Sequence, residues 1–136
     1  MTDVETLQEC RMAAMEERAL SRQIERLAMI GGPRGVGSQA MAPAGDRKTN
    51  NAAAKHLQQL DGLIEKLIRR RDENISIMQR AEDVIEKVRD RRERVIIRCY
   101  YVEGESDYEI ANQMEITAQR IQQVRNKTME FLNRKK

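Results

Sequence analysis

The residues that could support covalent or metal chemistry are few in this chain of 136 residues. It contains one histidine, His56, and two cysteines, Cys10 and Cys99, far apart in the sequence. A single imidazole cannot form a histidine-based catalytic pair, and two distant thiols form neither a disulfide framework nor a paired-cysteine metal clamp. We therefore expect free thiols in a reducing compartment, no bound metal, no cofactor and no enzymatic activity.

A glycine- and proline-rich stretch could, by composition, surround a phosphate group. Five of the seven glycines and both prolines lie between residues 31 and 45. Gly32 and Gly37 have the spacing of a phosphate-binding loop and Ser38 follows them, but the lysine of that motif is missing and no strand precedes it. The composition instead predicts a flexible linker over residues 31–49.

The side chains best suited to form hydrogen bonds with a partner lie near the C-terminus, in a segment with helical periodicity. Residues 117–136 contain six basic residues and one acidic residue, whereas residues 103–115 contain five acidic residues and no basic one. Positive charge gathered on one helix is typical of an element that enters a DNA groove. Glutamine and asparagine pair with adenine, arginine pairs with guanine, and an alanine methyl can contact thymine. The candidate base-reading residues are therefore Ala118, Gln119, Arg120, Gln122, Gln123 and Asn126.

Other residues in the same region are expected to contact phosphate oxygens, which position a protein on DNA without reading its sequence. They are basic side chains, or hydroxyls at the start of predicted helices: Ser106, Thr117, Arg125, Lys127, Arg134, Lys135 and Lys136. The alternative for each is an ordinary solvated surface residue, above all for Gln122. For the segment as a whole, the alternative is a three-helix interaction module that binds no nucleic acid.

Three short helices must position these side chains. The pattern predicts helices over residues 93–102, 107–114 and 118–133, with a tight turn before the last one. Ser106 and Glu109 have the spacing of a capping box at the start of the second helix, and Thr117 can cap the third. We expect the apolar face between the helices to contain Ile110, Ala111, Met114, Ile116, Ile121 and Val124. This arrangement is typical of a DNA-binding helix-turn-helix.

The rest of the chain predicts long helices and no strand. Residues 3–29 are rich in good helix formers, and residues 50–89 contain one glycine and no proline. Two apolar seams with coiled-coil-like spacing are predicted on the second helix: Leu57, Leu60, Ile64 and Leu67, then Met78, Ala81, Ile85 and Val88. The predicted fold is all-α, a long helical hairpin or coiled coil followed by a trihelical domain. The segments are an N-terminal helix (1–30), a linker (31–49), an oligomerisation helix (50–90) and a DNA-binding domain (91–136).

The last third of the chain resembles region 4 of sigma-70-type factors. Residues 100–111 read YYVEGESDYEIA, and Ile116, Thr117, Ile121 and Val124 continue the family pattern, roughly Y-x-x-G-x-S-x-x-E-I-A-x-x-L-G-I-S-x-x-x-V. Glu115 replaces the turn glycine of that pattern. The whole layout is similar to small phage and prophage proteins of the RinA- and ArpU-type regulator group. The resemblance implies a transcriptional regulator that binds promoter DNA and contacts the host RNA polymerase.

Two other functions stay open alongside this regulator of promoter or operator DNA. A small terminase subunit would bind packaging-site DNA as a ring oligomer, and an interaction protein would bind no DNA at all. The expected partners are double-stranded DNA and a second copy of the chain, as a homodimer or a higher homo-oligomer. We expect no membrane association and a location in the bacterial cytoplasm, because the sequence has neither a signal peptide nor a long apolar run.

Overall fold

A computed structural model of the chain describes residues 1–31 and 47–134, with side chains described for 1–29 and 51–134. Every regular element in these ranges is helical, so the all-α prediction is confirmed. The helices are α1 (Asp3–Gly31), α2 (Arg47–Ile85), α3 (Arg91–Ile97), α4 (Asp107–Met114) and α5 (Ala118–Arg134). A π-helical segment, Arg98–Val102, continues directly from α3.

The described residues form two compact units, and both long helices contribute to each of them. The first unit contains residues 1–16 and 73–134, and the second contains residues 17–31 and 47–72. The first unit is thus larger than the predicted 91–136 domain, because it includes the start of α1 and the end of α2. The predicted linker falls mostly on residues 32–46, outside the described part. At its edges Gly31 belongs to α1, and residues 47–49 belong to α2.

One core cluster of the first unit joins the start of α1, the end of α2, the π-helical segment and the end of α5. Its buried members are Leu7, Cys10, Ala81, Val84, Ile85, Ile97, Tyr101 and Leu132. Burial of apolar area is the main favourable term in folding, so this cluster holds the first residues of the chain against the last helix. The trihelical segment therefore has α1 and α2 as part of its support.

A second core cluster joins α3, α4 and α5. Its buried members are Ile96, Ile110, Ala111, Ile121 and Val124. Met114 and Ile116, which complete the predicted apolar face, are partly buried and pack against the cluster. These positions on α4 and α5 are the ones that helical periodicity predicted, and they fix which side of α5 remains in solvent.

The predicted end of the long helix is wrong by several residues. We expected the helix to run to residue 89, but α2 ends at Ile85. The backbone then turns, with the Lys87 amide donating to the Val84 carbonyl (3.0 Å) and the Val88 amide donating to the Ile85 carbonyl (2.9 Å). The Asp90 side chain accepts a hydrogen bond from the Glu93 amide and caps α3, which begins at Arg91 rather than at residue 93.

The predicted seam on the first half of α2 is also partly wrong. Leu57 is 57% exposed and Ile64 is 38% exposed, whereas Leu67 is buried and Leu60 and Leu63 are half-buried. In the second unit the inward seam is therefore Leu60, Leu63 and Leu67. Two apolar stripes lie side by side on this part of α2, and the sequence alone does not show which of them the chain itself covers.

The turn between α4 and α5 contains a residue in a left-handed conformation. Glu115 has φ of 58° and ψ of 39°, and its amide donates a hydrogen bond to the Ala111 carbonyl. This is the position where the sigma-like pattern has glycine, which adopts such a φ without steric cost. Glu115 carries a side chain and therefore adopts this conformation with some strain.

Candidate nucleic-acid interface

The candidate interface is the outward face of α5, whose other side packs into the core. Ile121 and Val124 are buried in the cluster shared with α3 and α4. Between and beside them on the helix, five of the predicted base-reading residues are exposed: Gln119, Arg120, Gln122, Gln123 and Asn126. Ala118 is half-buried and packs against the same cluster, so it presents only part of its methyl group. The face therefore offers amide and guanidinium groups, with few apolar atoms.

Hydrogen bonds at the start of α5 order this face. The Thr117 hydroxyl accepts from the Arg120 amide at 3.1 Å, which caps the helix. The Arg120 guanidinium donates to the Gln123 side-chain oxygen at 3.4 Å, across one helical turn. Arg120 and Gln123 therefore lie next to each other on the solvent side, in the half of the helix that usually contacts base edges in recognition helices.

The two capping hydroxyls lie at the starts of α4 and α5. The Ser106 hydroxyl accepts from the Glu109 amide at 3.2 Å, and the Ser106 amide donates to the Glu109 carboxylate at 3.4 Å, so the predicted capping box is present. A hydroxyl that accepts a backbone N–H keeps its own proton for donation. Ser106 is half-buried and Thr117 is exposed, so Thr117 is the more accessible donor for an external anion.

Arg125 differs from the expectation that it contacts phosphate. Its guanidinium forms two hydrogen bonds to the Asp107 carboxylate, at 2.8 and 2.9 Å, and its side chain is only 13% exposed. Its guanidinium carbon also lies 3.9 Å from the centre of the Tyr100 ring. Burial lowers the pKa of Arg125, but the hydrogen bond to Asp107 and the charge interactions with Asp107, Tyr100 and Tyr101 together outweigh it, so the pKa lies above its ordinary value. Arg125 therefore ties α5 to the start of α4, and we remove it from the set of phosphate contacts.

Arg11 is an important residue that no motif or spacing in the sequence singles out. It donates hydrogen bonds to the Tyr100 carbonyl and to the Glu105 carbonyl, the latter at 2.9 Å. Its guanidinium carbon lies 3.6 Å from the centre of the Tyr100 ring. Because one ring face has room for one guanidinium group, Arg11 and Arg125 occupy opposite faces of Tyr100. This stack joins α1 to the π-helical segment and to α5.

The remaining basic residues of the predicted set lie toward the end of α5. The Lys127 side chain is 76% exposed, with its ammonium 3.5 Å from the Glu93 carboxylate. Arg134 is exposed in the last turn of α5. Lys135 and Lys136 fall outside the described residues. The accessible cations on the described part of α5 are therefore Arg120, Lys127 and Arg134.

The acidic residues before α5 are less available to a partner than their number suggests. Asp107 is occupied by Arg125, and Glu105 is half-buried, with its backbone carbonyl bound by Arg11. The Asp107 carboxylate is therefore engaged within the chain.

Two further observations concern the described residues as a whole. Among them, no group of three or more His, Cys, Asp and Glu side chains is placed to hold a metal ion. None of the helices in the described ranges combines the length and the apolar character needed to cross a bilayer.

Comparison with known proteins found no matching family model, no matching curated protein and no matching solved structure.

Proposed function

We propose that the chain is a sequence-specific DNA-binding regulator of transcription, with α4, the Glu115 turn and α5 acting as a helix-turn-helix. The observation that carries the proposal is the division of α5 into two faces. Ile121 and Val124 are buried against α3 and α4, while Gln119, Arg120 and Gln123 are exposed at its N-terminal end. A helix held in this way can enter the major groove with its N-terminal side chains at the base edges.

Base reading is assigned to the exposed polar side chains of α5. Arg120 is suited to guanine, because a guanidinium donates two parallel hydrogen bonds to its major-groove edge. Gln119, Gln123 and Asn126 are suited to adenine, whose edge offers one donor and one acceptor to an amide. The side chains of Arg120 and Gln123 are hydrogen-bonded to each other, which supports the expectation that they read adjacent base pairs.

Phosphate contact is assigned to residues at the edges of this face. Thr117 lies at the N-terminal end of α5, and Lys127 and Arg134 lie farther along it. Ser106, at the N-terminal end of α4, is a second hydroxyl donor with less exposure. Such contacts provide affinity that falls with salt concentration and position the reading helix.

The regulatory role rests on the resemblance of residues 100–124 to sigma region 4, and includes contact with RNA polymerase as in that family. Since Asp107 is paired with Arg125, we assign any polymerase contact to exposed surface other than Glu105 and Asp107. The phage-type regulator remains the preferred interpretation, because no feature of residues 1–31 and 47–134 favours a packaging subunit over it.

The experiment that tests the proposal is selection of bound duplexes from a random DNA pool by the full-length protein. We expect one enriched motif with guanine at a fixed position. The Arg120→Ala variant should select the same motif with that one position relaxed, which is a loss of about 1–3 kcal/mol of discrimination. Failure to enrich any sequence with the wild-type protein would contradict the proposal.

A further inference from the structure

An apolar stripe on α2 is left exposed within the second unit. Ile64 is 38% exposed and Ile68 is 53% exposed, one turn apart on the helix. At about 100° per residue they lie on one face, roughly 90° around the helix from the inward seam of Leu60, Leu63 and Leu67. A helix with two apolar faces at this angle is typical of a four-helix bundle, in which each helix contacts two neighbours.

A pair of opposite charges flanks the stripe. Asp61 lies one turn before Ile64 and Arg71 lies one turn after Ile68, both within about 40° of the centre of the stripe. Both residues are exposed, and within the described part of the chain neither has an ion-pair partner. Along the helix, the exposed side chains of this face are therefore acidic, apolar, apolar and basic, in the order Asp61, Ile64, Ile68 and Arg71.

This order is self-complementary when two copies of α2 run antiparallel. Placing Asp61 opposite Arg71 of a second copy also places Ile64 opposite Ile68, because both pairs are centred on position 66. By twofold symmetry each contact occurs twice, which is the property of an isologous interface. A parallel pairing in register would instead place Asp61 against Asp61 and Arg71 against Arg71, which is unfavourable.

We propose that the face formed by Asp61, Ile64, Ile68 and Arg71 binds a second copy of this chain in an antiparallel dimer. The two isoleucines of each copy supply the apolar contact, and the two Asp61–Arg71 pairs set its direction. This inference does not depend on DNA binding, since it concerns a different unit and different residues.

The test is sedimentation velocity of the full-length protein over a concentration series, with two charge reversals, Asp61→Arg and Arg71→Asp. Each reversal turns two attractive contacts into two repulsive ones, so we expect the dimer dissociation constant to rise at least about tenfold. The double exchange Asp61→Arg with Arg71→Asp restores both pairs only in the antiparallel arrangement. It should return the constant to within about threefold of the wild-type value.

Lys66→Glu is the matched control, because it reverses an exposed charge on the opposite side of the same helix. It should leave the dissociation constant unchanged, and circular dichroism should show the same helix content for all variants. A wild-type protein that stays monomeric up to about 100 μM, a concentration at which even a weak specific dimer forms, would overturn the proposal. So would single reversals that leave association unchanged, or a double exchange that fails to restore it.

Discussion

Arg125 on α5 and Asp107 at the start of α4 are joined by two hydrogen bonds, 2.8 and 2.9 Å long. The two side chains are 13% and 24% exposed, so water competes poorly for this pair. A guanidinium–carboxylate pair with two parallel hydrogen bonds fixes orientation as well as distance. The pair therefore holds the proposed reading helix at a set position relative to the helix before it.

Removing the carboxylate of this pair should destabilise the fold. Asp107→Ala leaves a mostly buried guanidinium without its partner, and we expect the free energy of unfolding to fall by about 1–3 kcal/mol. Lys127→Ala, which breaks the exposed 3.5 Å pair with Glu93, should change it by less than about 0.5 kcal/mol. Urea denaturation followed by circular dichroism measures both values. Equal effects of the two substitutions would show that Asp107 and Arg125 do not brace the helices.

Arg11 should support the C-terminal helices despite its distance from them in the sequence. Arg11→Ala removes two hydrogen bonds to backbone carbonyls and one contact with the Tyr100 ring, so we expect a loss of about 1–3 kcal/mol in unfolding free energy. Gln8→Ala, at an exposed position of α1, is the control and should be nearly neutral. The same urea titration applies. A neutral Arg11→Ala variant would mean that α1 does not hold the Tyr100 segment.

Two neighbouring residues on α5, one buried and one exposed, should differ in how much their truncation lowers the free energy of unfolding. Ile121 is fully buried, and Ile121→Ala should lower the free energy of unfolding by about 2–5 kcal/mol through the cavity it leaves. Gln122 is exposed, and Gln122→Ala should change stability by less than about 0.5 kcal/mol. Thermal or urea unfolding distinguishes the two outcomes. A stable Ile121→Ala protein would mean that α5 does not bury this face.

The cysteines should react slowly in the folded protein. Burial, followed by the nearby Glu105 and Glu103 carboxylates, raises the pKa of the Cys99 thiol above its ordinary value of 9.0, and Cys10 is 1% exposed. Since the thiolate is the reactive form, a disulfide reagent at pH 8 should label native Cys99 more slowly than the same thiol in the denatured protein. Equal labelling rates in the two states would contradict this placement.

The raised pKa of Cys99 makes the stability of the fold depend on pH. A thiol whose pKa is higher in the folded state holds its proton more tightly there. The contribution of Cys99 to the free energy of unfolding is therefore fully present below the ordinary pKa of the thiol. It is lost as the pH rises through the higher pKa of the folded state. Burial also raises the pKa of the Tyr101 hydroxyl, which acts in the same direction at higher pH. Urea midpoints should fall above about pH 9, and the part due to the thiol should be absent in Cys99→Ser.

Local signals in the sequence predicted the C-terminal helices well. The range of α4 matches the prediction because the capping box formed by Ser106 and Glu109 involves residues only three positions apart. The buried and exposed sides of α5 follow its helical period. Such features depend on neighbouring residues, and the sequence therefore contains all the information that they require.

Features that depend on distant partners could not be predicted in the same way. Arg125 has the sequence pattern of an exposed phosphate contact, and only the folded position of Asp107 shows otherwise. Arg11 is one of many arginines on the long helices, and its partners lie at the other end of the chain. The seam on α2 was ambiguous because Leu57 and Ile64 have the same spacing as the residues that are covered.

The most direct measurement of DNA binding is fluorescence anisotropy with the selected duplex over a series of salt concentrations. We compare the wild-type protein with Arg120→Ala and with Arg80→Ala, which removes an exposed arginine from α2. Arg120→Ala should weaken binding of the selected duplex by about 1–3 kcal/mol more than binding of a scrambled one. Arg80→Ala should preserve the preference between the duplexes. Equal effects of the two substitutions, or affinity for DNA that does not change with salt, would contradict recognition by α5.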